Sequence, residues 1–168
     1  PANEKGVDEF ASPLLPENSY STDCWNNCYN VIMRANIVIG RVDQATFTNN
    51  DLKNQYKAEA KFIRALMYFW LNRTFGGVAI NDKLLGVIKV DKEITQAVAY
   101  TLERGTLQEN YDLIVEDLKF AEQYLPDTYT TVDKGRVTKG AAKGMLGKVY
   151  MTMAGFPLNK GIAIFNRC

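Results

Sequence analysis

The ten residues FIRALMYFWL, Phe62–Leu71, hold nine apolar or aromatic side chains around a single arginine. Their surroundings decide the fold. A membrane span needs about 20 consecutive apolar residues. Here Lys61 and Arg64 interrupt the run, and Asn72 and Arg73 close it, so it is half a span. A helix that is apolar on every side must be enclosed by neighbours. The stretch therefore predicts a layered helical array rather than a lone hairpin.

Outward from this stretch, a helix is predicted from about Asp51 to Phe75, with Asn50 as its cap and Gly76–Gly77 as its stop. Its first half is amphipathic, with Lys53, Lys57 and Lys61 on the exposed side. Before it, Trp25, Cys28, Tyr29, Ile32, Ala35, Ile39 and Val42 recur at helical spacing. They predict a helix from about Thr22 to Val42, capped by Ser21, Thr22 or Asp23. The preceding ASPLLPENSYS, with two prolines, reads as loop.

Residues 78–105 break the pattern and read as a long insertion, with VAI and LLGVIKV as possible short strands. In TLQE, Thr106 and Glu109 fit a capping box. The helix it opens carries Leu107, Tyr111, Ile114, Leu118, Ala121 and Leu125 on one face and ends at Pro126. A last helix, from about Thr138 to Ala154, points Ala141, Ala142, Met145, Leu146, Val149 and Met153 inward. Gly140, Gly144 and Gly147 each cost about 1 kcal/mol of helix propensity against alanine, which predicts close approach by a neighbouring helix. They lie inside a helical pattern, not on the strand-to-helix turn of a phosphate loop. The fold expected is mostly α, with antiparallel helix pairs stacked in the tetratricopeptide manner. The insertion destroys any regular repeat near 34 residues.

Composition narrows the chemistry. The 168 residues carry a net charge of +1 and form no long basic run, so no nucleic-acid surface is expected. Histidine is absent, which removes the commonest general base and metal ligand together. Cys24 and Cys28 share a helical face but lack the further partners a metal would need, and read as small buried hydrophobes. Cys168 is the third cysteine. No cofactor or metal is expected.

Glu116 and Asp117 are adjacent and point about 100° apart on a helix, which suits an ion pair better than a catalytic dyad. Asp117 lies beside the apolar stripe and is expected to pair with Arg64 or Arg34. Asn36 and Glu59 read likewise, as structural polar members of an apolar seam. The NRT sequence, Asn72–Thr74, matches a glycosylation acceptor at a helix end, where chance accounts for it. Of the nine tyrosines, Tyr20, Tyr100 and Tyr129 fall in or beside predicted loops. A loop aromatic can stack on the apolar face of a sugar ring, so these three are the candidate ligand-binding residues. Ordinary loop packing is the competing reading for each.

Four segments together resemble one family. WNNCYNVIMRANIVIGRVD is similar to its W-x3-Y-x2-I-x-R-A-N helix. AEAKFIRALMYFWLNRTFGGVAI resembles its E-A-x-F-x-R-A signature helix ending F-G-G-V-P. YDLIVEDLKFAEQYLP and GRVTKGAAKGMLGKVYMTMAGFP resemble the two helices that follow. The family is that of the SusD/RagB-like outer-membrane nutrient-binding lipoproteins of Bacteroidetes. The segments keep the family's order over residues 25–157. Trp25, Asn36, Glu59, Arg64 and Asp117 match its pattern as fold-defining positions. Ala79 departs from it, standing where proline is usual, and the tail after Leu158 departs too.

The resemblance implies a cell-surface protein that binds glycan or peptide nutrients, without catalysis, on a SusC-like TonB-dependent transporter. It implies an outer-membrane location through an N-terminal lipid anchor that this sequence does not contain. Family members are several times longer, so residues 1–168 are expected to be the N-terminal helical part of one domain. The chain starts at Pro1 and stops at GIAIFNRC, and both ends read as cut. The alternative from the helical pattern alone is an intracellular helical-repeat scaffold that binds peptides in a concave groove.

Overall fold

The computed structural model describes residues 19–161. Most of the segment read as loop before the first helix, and Cys168, lie outside the described residues. Helix α1 spans Ser19–Arg41 and α2 spans Asn50–Phe75. Three short strands follow, β1 (Val78–Ile80), β2 (Lys83–Ile88) and β3 (Arg104–Thr106), with the one-turn helix α3 (Gln96–Ala99) between the last two. Helix α4 spans Leu107–Tyr124 and α5 spans Lys139–Ala154.

The chain is mostly α, and its long helices pack serially, α1 on α2, α2 on α4 and α4 on α5. Each contact is antiparallel. Trp25 near the start of α1 meets Phe75 at the end of α2 edge to face, with ring centroids 5.2 Å apart. Lys61 of α2 meets Asp117 late in α4, while Asn72 meets Asn110 at its start. The boundaries follow local chemistry. Asn49, not Asn50, caps α2, its side chain accepting from Asp51 N–H. Thr106 and Glu109 form the expected reciprocal capping box, and Thr138 caps α5. All six predicted stripe residues of α4 are buried. Ser19, Tyr20 and Ser21, assigned to loop from sequence, form the first turn of α1.

Residues 62–71 are enclosed on two sides, not on every side. Ala65, Tyr68, Phe69 and Leu71 are buried between α1, α4 and β2, but Ile63 and Trp70 are 39% and 53% exposed. They lie on a third face that no described element covers. Lys61, expected on the exposed side, is 7% exposed because Asp117 draws it inward. Lys53 and Lys57 are only half exposed and bind Asp43.

Helix α5 corrects two expectations. Ala141 faces solvent, and the buried set is Ala142, Leu146, Val149, Tyr150 and Met153. Gly144 and Gly147 have no atom within 4 Å of an added Cβ, and Gly140 meets only Thr138 Oγ1 at 3.8 Å. Among the described residues α5 packs chiefly on α4, and no second helix reaches these glycines.

The insertion is more ordered than the sequence indicated. β1, β2 and β3 make an antiparallel sheet in that order. Val78 pairs with Leu85 and Ile80 with Lys83. Asn81 and Asp82 turn the hairpin with positive φ of 49° and 62°, the left-handed pair that matches strand twist. An irregularity between Leu85 and Ile88 shifts the β2–β3 register. Gly86 lies so close to α2 and α4 that an added Cβ would stand 2.8 Å from Asn72 Oδ1 and from Asn110 Nδ2.

Candidate functional site

The structure joins three of the four predicted structural polar residues in one buried cluster. Asp117 is fully buried. Its Oδ2 accepts from Arg64 Nε at 2.7 Å, and its Oδ1 accepts from Arg64 Nη2 at 2.8 Å and Lys61 Nζ at 2.6 Å. Arg64 Nη1 donates to Asn36 Oδ1 and to the Asp91 carbonyl, both at 2.7 Å. Arg34 is exposed and takes no part. Both carboxylate oxygens are occupied by buried cationic donors, the arrangement of an ion pair between helices. The fourth, Glu59, is half-buried beside it on α2 and accepts from Arg136 Nη2 at 2.8 and 3.1 Å.

The cluster also holds the insertion. Residues 86–93 run lengthwise along α1 and α2, and side chains grip their main chain. Asn72 Oδ1 accepts from Val87 N–H at 3.3 Å, and Asn110 Nδ2 donates to the Val87 carbonyl at 3.2 Å. Tyr29 donates to the Ile88 carbonyl at 2.7 Å. The Tyr68 hydroxyl accepts from Val90 N–H at 2.7 Å and donates to its carbonyl at 3.0 Å. Asn36 Nδ2 donates to the carbonyls of Val90 and Lys92 at 2.9 and 3.1 Å, and Arg41 pairs with Glu93 at 2.6 Å. Burial raises both tyrosines' pKa values well above the ordinary range, so they stay neutral donors. The sequence reading missed this clamp. Its signal was three asparagines, Asn36, Asn72 and Asn110, on otherwise apolar helix faces. Asn72, the acceptor position of the NRT motif, is 4% exposed and bonded within the clamp.

Of the three candidate tyrosines, Tyr20 and Tyr129 lie far apart. Tyr20 is 64% exposed in the first turn of α1. Tyr100 caps α3 and is 80% exposed, its hydroxyl accepting from Gln96 Nε2 at 3.0 Å. Tyr129 is half-buried, donates to Glu59 Oε1 at 2.9 Å, and lies under the Arg136 guanidinium, 5.3 Å from the ring centroid. Burial first, and then Glu59, push its hydroxyl up to about 12. Tyr129 thus sits beside the first half of α2 and Tyr20 beyond its far end, roughly 20 Å or more apart at about 1.5 Å per helical residue. Cys28 is buried and its thiol is pushed up to about 11, chiefly by burial, as expected of an inert packing residue.

Surface clefts of ligand size among the described residues include these two. One, of about 560 Å³, runs between α1 and α2 with apolar walls from Val38, Val42, Phe47, Tyr56 and Ile63. The other, of about 500 Å³, opens between the β1–β2 hairpin, β3 and the start of α4, and is rich in charged and amide groups. Among the described residues no three His, Cys, Asp or Glu side chains form a group able to hold a metal ion. No described helix is long and apolar enough to cross a membrane.

Serially packed antiparallel helices, with an insertion clamped along the first pair, define a helical-repeat scaffold of the tetratricopeptide kind. Residues 5–151 match a SusD-like family described as starch-binding and associating with the outer membrane, and the chain belongs to that family. A SusD-like protein of Bacteroides ovatus is 31% identical over 149 residues, covering 88% of this chain and 25% of the relative. The crystal structure of a SusD superfamily protein from Parabacteroides distasonis superposes with a TM-score of 0.76 at 32% identity, over 98% of this chain and 32% of that one. A crystal structure with a xylogluco-oligosaccharide matches at a TM-score of 0.63 and 30% identity, over 80% of this chain and 24% of that one. The chain spans about a quarter of the length of the curated relatives it matches.

Proposed function

We propose that this chain is part of a cell-surface glycan-binding protein that hands its ligand to a TonB-dependent outer-membrane transporter. The observation that carries the reading is membership of a family described as starch-binding and associating with the outer membrane. The 30% identical structure with a xylogluco-oligosaccharide supports it. In this reading the protein binds without a covalent step, by ring stacking and hydroxyl hydrogen bonds, and the helices are the scaffold and transporter-facing part. Tyr100 is the tyrosine best presented for stacking and Tyr20 is second. The network around Tyr129 engages its hydroxyl with Glu59 and its ring with Arg136. A lipid anchor attached upstream of this sequence would hold the protein at the outer membrane. Residues 1–168 form the helical part of a single larger domain, with residues 78–105 as its insertion.

The intracellular peptide-binding scaffold is the weaker reading. Along α1 and α2, where an extended peptide would lie in such a scaffold, the chain places its own residues 86–93. Glycan-array binding with the full-length gene product tests the proposal, with peptide ligands as a second arm. Copurification from outer membranes with a TonB-dependent transporter, and incorporation of labelled palmitate, test partner and anchor. Glycan binding with cofractionation supports the reading. A protein in the cytosolic fraction that binds peptides and no glycan would overturn it.

A further inference from the structure

We infer that the polar cleft beside β3 is a subsite for a neutral oligosaccharide, with Tyr100 as an aromatic platform on the approach to it. This rests on the glycan-binding reading and goes beyond it by naming residues and ligand charge. The cleft is lined by Asn81 and Lys83 of the hairpin, Glu103 and Arg104 at β3, and Glu109 of α4, over Leu85. The side chains of Asn81, Lys83 and Glu103 are exposed and make no hydrogen bond or ion pair among the described residues. They are donors and acceptors without a partner among the described residues.

Two members are already oriented. Arg104 Nη1 donates to the carbonyls of Phe75 and Gly86 at 2.9 and 3.1 Å, which fixes the guanidinium against the end of α2. Glu109 Oε2 accepts from Thr106 N–H and Oγ1 at 2.8 and 2.7 Å, which leaves Oε1 unbonded. The cleft thus carries two cations and two carboxylates. A charged ligand would meet groups of its own sign as well as the opposite one. A polyol, whose every hydroxyl both donates and accepts, satisfies both kinds without that conflict. Tyr100 and Glu103 are three positions apart, so their Cα atoms are at most about 11 Å apart. That is the scale of one or two sugar units.

The test is isothermal titration of the full-length protein with xylogluco-oligosaccharide and laminari-oligosaccharides as neutral probes and an oligogalacturonate as the anionic one. The variants are Glu103→Gln, Lys83→Met and Tyr100→Ala, with Lys119→Met on the exposed face of α4 as control. All are surface positions, where substitution leaves the fold intact, and far-UV circular dichroism checks this. The expected result is a loss of roughly tenfold or more in affinity for a neutral probe in each cleft variant, with the control unchanged. Wild-type binding that all three variants retain would overturn the subsite and leave the glycan reading standing. Tighter binding of the oligogalacturonate would overturn the neutral-ligand assignment. A wild-type protein that binds no probe would count against the glycan reading itself, and the subsite would fall with it.

Discussion

Replacing Asp117 by alanine should be among the most damaging single changes in this chain. The carboxylate is fully buried and compensates two cations, Arg64 at 3% and Lys61 at 9% side-chain exposure. Without it, both charges stay desolvated, and only Glu116, 3.5 Å from Lys61 and largely exposed, offers partial relief. Breaking a buried pair in this way costs about 3–5 kcal/mol, a large share of a typical stability of about 5–15 kcal/mol. A triple variant separates the cost of the orphaned charges from that of lost packing. Lys61→Met, Arg64→Met and Asp117→Leu together remove every charge of the cluster and should recover most of the loss. Recovery stays incomplete because Asn36 Oδ1 and the Asp91 carbonyl lose the donor they share, at about 1–3 kcal/mol for an unsatisfied buried group. Urea unfolding followed by far-UV circular dichroism gives both numbers. A loss below about 1 kcal/mol for Asp117→Ala, or a triple variant no more stable than the single, would refute this account of the cluster.

Asn36→Leu should free residues 88–92 while leaving the helices folded, seen as faster amide hydrogen exchange and new proteolytic cleavage confined to the insertion. Gly86→Ala should destabilise by about 1–3 kcal/mol, because its Cβ would press on Asn72 and Asn110; unchanged thermal unfolding would contradict this packing. Thr106→Ala should cost about 1 kcal/mol, with increased exchange in the first turn of α4. Glu109 and Asp43 both have depressed carboxyl pKa values, Glu109 first through its hydrogen bond with Thr106 and Asp43 first through Lys57. Their contributions are therefore present above the unfolded carboxyl range and lost as pH falls through the lower folded values. Acid titration of stability should show this, and Glu109→Gln should flatten part of it.

Helix positions and facing stripes were legible in the sequence because long amphipathic segments carry many repeats of one period. The cap of α4 could be read because both its residues act locally. The Asp117–Arg64 pair was legible too, as a carboxylate and a guanidinium each placed on an apolar face. Strand β3 and helix α3, of three and four residues, are too short to display a period. The Asn81–Asp82 pair was a hairpin signal left unread. Lys61 was misplaced because it continues the four-residue spacing of Lys53 and Lys57, and only the fold reveals that Asp117 lies opposite. The expected enclosure of residues 62–71 on all sides went too far: hydrophobicity shows that a face wants cover, not that the cover lies within these residues. The candidate tyrosines were chosen for lying near loops, and loop membership carries no information about convergence.

Except at Glu93, which pairs with Arg41, the grip on residues 86–93 addresses peptide groups rather than side chains. Val87 and Val90 are buried, while the side chains of Lys89, Asp91 and Lys92 project into solvent. Any of them could be exchanged without disturbing the fastening. The scaffold therefore acts as a mount that accepts differently decorated inserts, so the surface displayed by residues 94–103 can vary while the helices beneath it keep one sequence.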